Sequence, residues 1–115
     1  MKKGIEMDLK EYQEKARSTA VYPDMGKNLY YPSLGLGGEA GEVCEKIKKI
    51  MRDDGGQVTS IKKDAIAKEL GDVLWYVSNL ASELELDMEQ IAHANIQKLF
   101  DRMKRGVIKG SGDDR

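Results

Sequence analysis

The sequence predicts an all-α fold of four helices. Apolar residues recur at three- and four-residue spacing along most of the chain. The only two prolines, Pro23 and Pro32, fall in one short segment, VYPDMGKNLYYP, so the rest is free of that breaker. No run of apolar–polar alternation is long enough to read as a strand.

The first helix is expected to start at Asp8, which makes a capping-box pattern with Glu11, and to end before Pro23. Leu9, Tyr12, Ala16 and Ala20 are its apolar stripe. The second is expected to follow Pro32 with Ser33 as N-cap, carry Leu36, Ala40, Val43, Ile47 and Ile50 or Met51 inward, and stop at the DDGG breaker of residues 53–56. The third should begin after Ser60 and run to about Glu85, with Ile66, Leu70, Val73, Val77, Leu80 and Leu84 on its inner face. Residues 73–77, Val-Leu-Trp-Tyr-Val, are apolar around the whole circumference. A helix of that kind has to be covered all round, which predicts a partner chain against it. The fourth should start at Asp87, with a capping box to Gln90, and bury Ile91, Ala94, Ile96, Leu99 and Met103. Arg102, Lys104 and Arg105 in its last turn suit the helix dipole. Residues 1–106 therefore read as one domain, and 107–115 as a tail that is mobile or laid on a neighbour.

A length of 115 residues fits that single domain. Nineteen Lys and Arg against twenty Asp and Glu give a formal net charge of -1, which makes no electrostatic case for a nucleic-acid polymer or a membrane surface. No segment reaches the roughly 20 apolar residues of a membrane span. One cysteine and a charged, helical opening segment point to a cytoplasmic setting.

Two segments resemble each other. Glu39-Ala-Gly-Glu42-Val43 lies in the second helix and Glu69-Leu-Gly-Asp72-Val73 in the third. In each, two acids three residues apart share a helix face. A glycine inside a helix costs roughly 1 kcal/mol relative to alanine, so Gly41 and Gly71 suggest a need for small size where helices approach. A lone E-x-x-E is ordinarily a solvated face; two matching pairs beside core positions point instead to a cation held by Glu39, Glu42, Glu69 and Asp72. Oxygen ligands without His or Cys favour Mg²⁺, with Mn²⁺ able to substitute, and such sites complete their shell with substrate phosphates.

Asn95, Lys98 and Arg102 form a stripe on the fourth helix suited to phosphate oxygens; the plainer alternative is surface charge near a helix end. Lys49 also comes within reach of a phosphate, and Lys46 and Lys49 alternatively pair with Glu42 or Glu45. Cys44 reads as a small buried hydrophobe and His93 as a surface or packing residue; neither belongs to a nucleophilic motif.

YPSLGLGGEAGEVCEKIKK, KELGDVLWYVSNLA and NIQKLFDRMKRG together resemble the MazG-like nucleotide pyrophosphohydrolases, within the all-α nucleoside triphosphate pyrophosphatase superfamily. Their motif is E-x-x-E, a spacer, then E-x-x-D. Here it falls on Glu39, Glu42, Glu69 and Asp72, with residues 43–68 as spacer. The resemblance implies a four-helix MazG-like bundle completed by dimerisation, as a homodimer or a dimer of dimers. It implies Mg²⁺ on the four acids and phosphate contacts from Lys98 and Arg102, with Asn95 at the site. It implies hydrolysis of nucleoside triphosphates to monophosphate and pyrophosphate, for which Glu42 is nominated as base. By position Tyr31, Trp75, Tyr76 and Asn28 are nominated for the nucleoside pocket, with core packing as the alternative for the aromatics. The long segment KIMRDDGGQVTSIKK is expected to be a lid or a longer hairpin. Related activities, phosphoribosyl-ATP pyrophosphatase or dUTPase, would use the same acids; a non-catalytic metal-binding helical dimer is the reading from another class.

Overall fold

The computed structural model describes residues 6–106 and 112–113. Among them it contains four helices and no strand: α1 (Leu9–Ser18), α2 (Tyr30–Asp53), α3 (Ser60–Glu83) and α4 (Met88–Arg105). No helix among the described residues is long and apolar enough to cross a membrane. Apart from Gly112 and Asp113, the tail of residues 107–115 lies outside the described residues.

Three helix starts are set by side-chain caps. The Asp8 carboxylate accepts from the Glu11 N–H at 2.7 Å, Thr59 Oγ1 from Lys62 N–H at 3.2 Å, and Asp87 from Glu89 N–H at 2.8 Å. The start of α2 corrects the expectation that Ser33 caps it. Asn28 Oδ1 instead accepts from Tyr31 N–H at 3.0 Å, and the helix begins at Tyr30. Pro32 then sits in the first turn, where a missing N–H costs nothing. The third helix ends two residues before Glu85. Leu86 N–H donates to Ala81 C=O at 2.8 Å and Glu85 N–H to Ser82 C=O at 3.1 Å, with Glu85 left-handed at φ 58°. This is the two-bond stop that glycine usually makes, here built on a glutamate.

α2 and α3 form an antiparallel hairpin and share the most extensive contact in the chain; α1 packs on α3 and also carries α4. Among the described residues the buried apolar side chains are few: Ala16, Ala20, Tyr22, Pro32, Ile50, Ala81 and Met88. Several expected inner-face residues are exposed, among them Ala40, Ile47, Met51, Leu70, Leu84, Ile91, Ala94, Ile96 and Met103. The arrangement explains this. The radius of gyration is 17.1 Å, against about 13 Å for a closely packed chain of about this length. The helices are spread out, so an apolar stripe two residues wide finds cover for only part of itself. Cys44, expected to be buried, is exposed for the same reason.

The glycines also depart from expectation. A Cβ on Gly41 or Gly71 would meet nothing within 4 Å, so neither mediates a close approach among the described residues. Close approach occurs at Gly35, where an added Cβ would overlap the Tyr76 ring.

Candidate active site

The antiparallel register of α2 and α3 brings three of the four predicted acids together. One carboxylate oxygen from each of Glu39, Glu69 and Asp72 lies within 4.8 Å of the others. Glu39 and Glu69 are half-buried and Asp72 is exposed. Glu42 lies outside this trio and is exposed, although its charge is felt at Glu39. Positions three apart are offset by about 60° around the axis; on α3 both Glu69 and Asp72 stay within reach of the seam, while on α2 only Glu39 does.

The trio is short of positive charge. The Glu39 carboxyl is held above the ordinary range, first by its hydrogen bond with Glu69, then by burial and the charges of Glu69, Asp72 and Glu42. Lys46 Nζ stands 3.9 Å from Glu69 Oε1, while Glu69 Oε2 is buried without a hydrogen-bond partner. A buried carboxylate oxygen left unpaired is expensive. Three converging carboxylates with such an orphan suit a hard divalent cation, and the set of oxygen donors fits Mg²⁺ or Mn²⁺.

Beside the acids is a hollow of about 280 Å³ lined by Glu39, Asp72, Trp75 and Tyr76. Trp75 meets Tyr76 edge-on with ring centroids 5.0 Å apart. Tyr31 lies 6.3 Å from Tyr76 and is itself stacked on Tyr22 at 4.7 Å and 11°. Burial, followed by the Tyr31 phenol and the Glu39 and Asp72 charges, pushes the Tyr76 hydroxyl up. Three nominated pocket residues thus gather at one end of the trio. Asn28 does not join them. Its N–H donates to Glu83 and its Nδ2 to Pro23 C=O, and its Oδ1 accepts from Tyr31 N–H, so its polar groups are spent on holding the loop.

Glu83 is not conspicuous in the sequence, where the pattern SELELD reads as a helix end with surface acids. Its side chain has no solvent exposure. It accepts from Arg17 at 2.8 Å, from Gly26 and Asn28 N–H at 2.9 Å each, and from the Tyr22 hydroxyl. Burial alone would raise its pKa. The hydrogen bonds from Tyr22, Gly26, Asn28 and Arg17 outweigh that and bring it to about 2. One carboxylate therefore fastens the α1–α2 loop to α3 and sets the Tyr22–Tyr31 stack in place.

The predicted phosphate stripe sits elsewhere. Asn95 is exposed. Lys98 Nζ and Arg102 NH2 both donate to Asp113, at 2.9 and 3.2 Å, and Arg102 also donates to Gly112 C=O. Arg102 is buried, with an unpartnered Nε. Both ride on α4, whose main packing partner is α1. Lys49 lies on the hairpin, 3.7 Å from Glu45. His93 is exposed, as expected.

Comparison with known families matches residues 33–107 to the MazG nucleotide pyrophosphohydrolase domain. That span contains nearly all of the hairpin and all four motif acids. The chain is also 46% identical over 109 residues to the Gene 37 protein of Mycobacterium phage L5, covering 90% of this chain and 96% of the relative. No solved structure matches. With Glu39 of an E-x-x-E helix meeting Glu69 and Asp72 of an E-x-x-D helix, and a family match over most of its length, the chain belongs to the MazG nucleotide pyrophosphohydrolase family.

Proposed function

We propose that the protein hydrolyses nucleoside triphosphates between the α and β phosphates, giving the monophosphate and pyrophosphate. The observation that carries this reading is the carboxylate trio beside an aromatic hollow. Glu39, Glu69 and Asp72 would hold Mg²⁺ there. Bound in that place the ion supplies charge neutralisation and polarisation of the phosphate. Glu42 is exposed and makes no hydrogen bond or ion pair among the described residues, which leaves it able to take a proton from the attacking water. Trp75, Tyr76 and Tyr31 offer stacking faces for a base.

A homodimer, or a dimer of dimers, completes the reading. Tyr30, Leu34, Met51, Ile61, Leu70 and Phe100 are all exposed by half or more, apolar surface that a second copy would cover. Asn95 and Lys98 enter as phosphate contacts supplied by a second copy, since α4 packs mainly on α1 rather than over the hairpin, and Arg102, buried and held by Gly112 and Asp113, would join them only by exchanging Asp113 for a phosphate.

The test is a panel of ribo- and deoxyribonucleoside triphosphates with Mg²⁺ and separation of the products. Monophosphate with pyrophosphate is expected; release of orthophosphate would contradict the proposed bond. Asp72→Ala and Glu69→Ala should abolish turnover while leaving helical content intact, and full activity in either would remove the trio from the chemistry.

A further inference from the structure

Beyond the acids, the hairpin groove continues towards its turn and changes sign. Three lysines, Lys46, Lys49 and Lys62, line a hollow of about 200 Å³ together with Ile50 and Ala65. Lys46 and Ala65 also line the adjoining hollow, which reaches Glu69 of the trio. The spacing along α3 explains the alignment. Lys62, Ala65, Glu69, Asp72 and Tyr76 follow one another at intervals of three, four, three and four, so they form one stripe. At 1.5 Å per residue, Lys62 and Tyr76 lie about 10 Å from Glu69 in opposite directions. Along α2, running the other way, Glu39 precedes Lys46 by two turns. Aromatic rings, carboxylates and ammonium groups therefore succeed one another along the hairpin, across three neighbouring hollows.

We infer that this groove seats the substrate lengthwise within one protomer, and that Lys46, Lys49 and Lys62 form a subsite for the departing pyrophosphate. The inference rests on the hydrolase reading above and adds a direction to it: nucleoside on Trp75 and Tyr76, α-phosphate at the trio, β- and γ-phosphates towards the hairpin turn. In the reaction the water oxygen bonds to the α-phosphorus as the bond to the bridging oxygen breaks. That oxygen keeps the electron pair and leaves on the pyrophosphate, and the water proton passes to a carboxylate. The charge that accumulates is on the β-phosphate side, where the ammonium groups are.

The present partners of these lysines are compatible with that role. Lys46–Glu69 at 3.9 Å and Lys49–Glu45 at 3.7 Å are loose pairs with lysines open to solvent, and such pairs contribute little. Lys62 is held more closely, by Asp54 at the turn. A diphosphate bearing several charges outcompetes single carboxylates for ammonium groups, through shorter and stronger charge-assisted bonds. The long spacer expected as a lid or an extended hairpin is thus an extended hairpin that carries cations.

The experiment compares inhibition by inorganic pyrophosphate with inhibition by nucleoside monophosphate. Variants are Lys49→Gln with Lys62→Gln, and Lys46→Gln separately; Lys48→Gln, whose side chain pairs with Glu45 outside this hollow, is the control. The double variant should weaken pyrophosphate inhibition by about tenfold or more, some 1.4 kcal/mol, and leave the monophosphate constant and Mn²⁺ affinity within about a factor of two. Unchanged pyrophosphate inhibition overturns the subsite. Equal weakening of both products also overturns it, because it would reflect general electrostatics of the groove. If the unaltered protein turned over no triphosphate, calorimetric binding of pyrophosphate with Mn²⁺ would still decide. Selective loss in the double variant would keep the anion subsite while the hydrolase reading fell.

Discussion

Replacing Glu83 by glutamine should reveal how much of the fold depends on one ion. The change keeps the shape of the side chain and removes its charge, turning one acceptor into a donor that faces Arg17 and the Tyr22 hydroxyl. A carboxyl that falls from its ordinary value of 4.5 to about 2 on folding gains at most about 3 kcal/mol. The cover over it is a single loop with exposed residues at 23–27, so screening brings the expected loss nearer 2 kcal/mol. The sign follows from the direction of the shift. Because the folded value lies below the unfolded one, the contribution is complete above the unfolded pKa and disappears as pH falls towards about 2. Urea unfolding followed by far-ultraviolet circular dichroism at pH 7, 5 and 3.5 gives the test. The gap between the two proteins should be about 2 kcal/mol at pH 7 and should narrow by pH 3.5. A gap below about 0.5 kcal/mol, or one that stays constant across that range, would refute the reasoning.

Gly35→Ala should destabilise the protein by about 1–3 kcal/mol, since the Tyr76 ring must retreat to make room; an unchanged midpoint in urea would sink the steric argument. Gly41→Ala and Gly71→Ala should instead stabilise the isolated chain by about 0.5–1 kcal/mol, because an added methyl group faces open space; a loss of stability in dilute protein would show that something covers them. Mn²⁺ affinity, measured by calorimetry, should weaken as pH falls through the raised pKa of Glu39, since the ion needs the ionised carboxylate, and binding there should release protons. The same raised pKa means that the metal-free protein loses stability as pH rises through that range, and added Mg²⁺ should restore it. A metal affinity flat across pH 4–7 would remove Glu39 from the ligand set.

The helices are legible in the sequence because their signals are local. Asp8 and Asp87 cap as their positions suggest, and residues 53–56 end α2. Most of the acid pairing is legible too, because matched carboxylate spacing on two neighbouring helices brings Glu39 to Glu69 and Asp72. What escapes is whatever depends on partners far apart in sequence. Glu83 is ordinary among its neighbours and acquires its role from Arg17, Tyr22, Gly26 and Asn28, more than 50 residues away. Glycine spacing misleads for a similar reason: Gly35 is significant only because Tyr76 comes to it, while Gly41 and Gly71 draw the eye through their motif. Apolar periodicity marks the inner face of each helix broadly but does not say how much of it the remaining helices will reach. A three-residue step puts both acids of α3 in the trio but only Glu39 of α2, because the sequence does not say how each helix is rotated about its axis against the other.

Trp75 is the protein's one tryptophan. Its indole N–H is tied to Thr19 Oγ1 at 2.8 Å, and its ring stands against Tyr76 at the mouth of the acid groove. Indole fluorescence, excited where tyrosine does not absorb, therefore comes from a single, known address in this chain. A shift in emission on adding nucleotide would report events at the aromatic end without any dye, and a shift with the metal alone would show that the carboxylates and the rings sense each other.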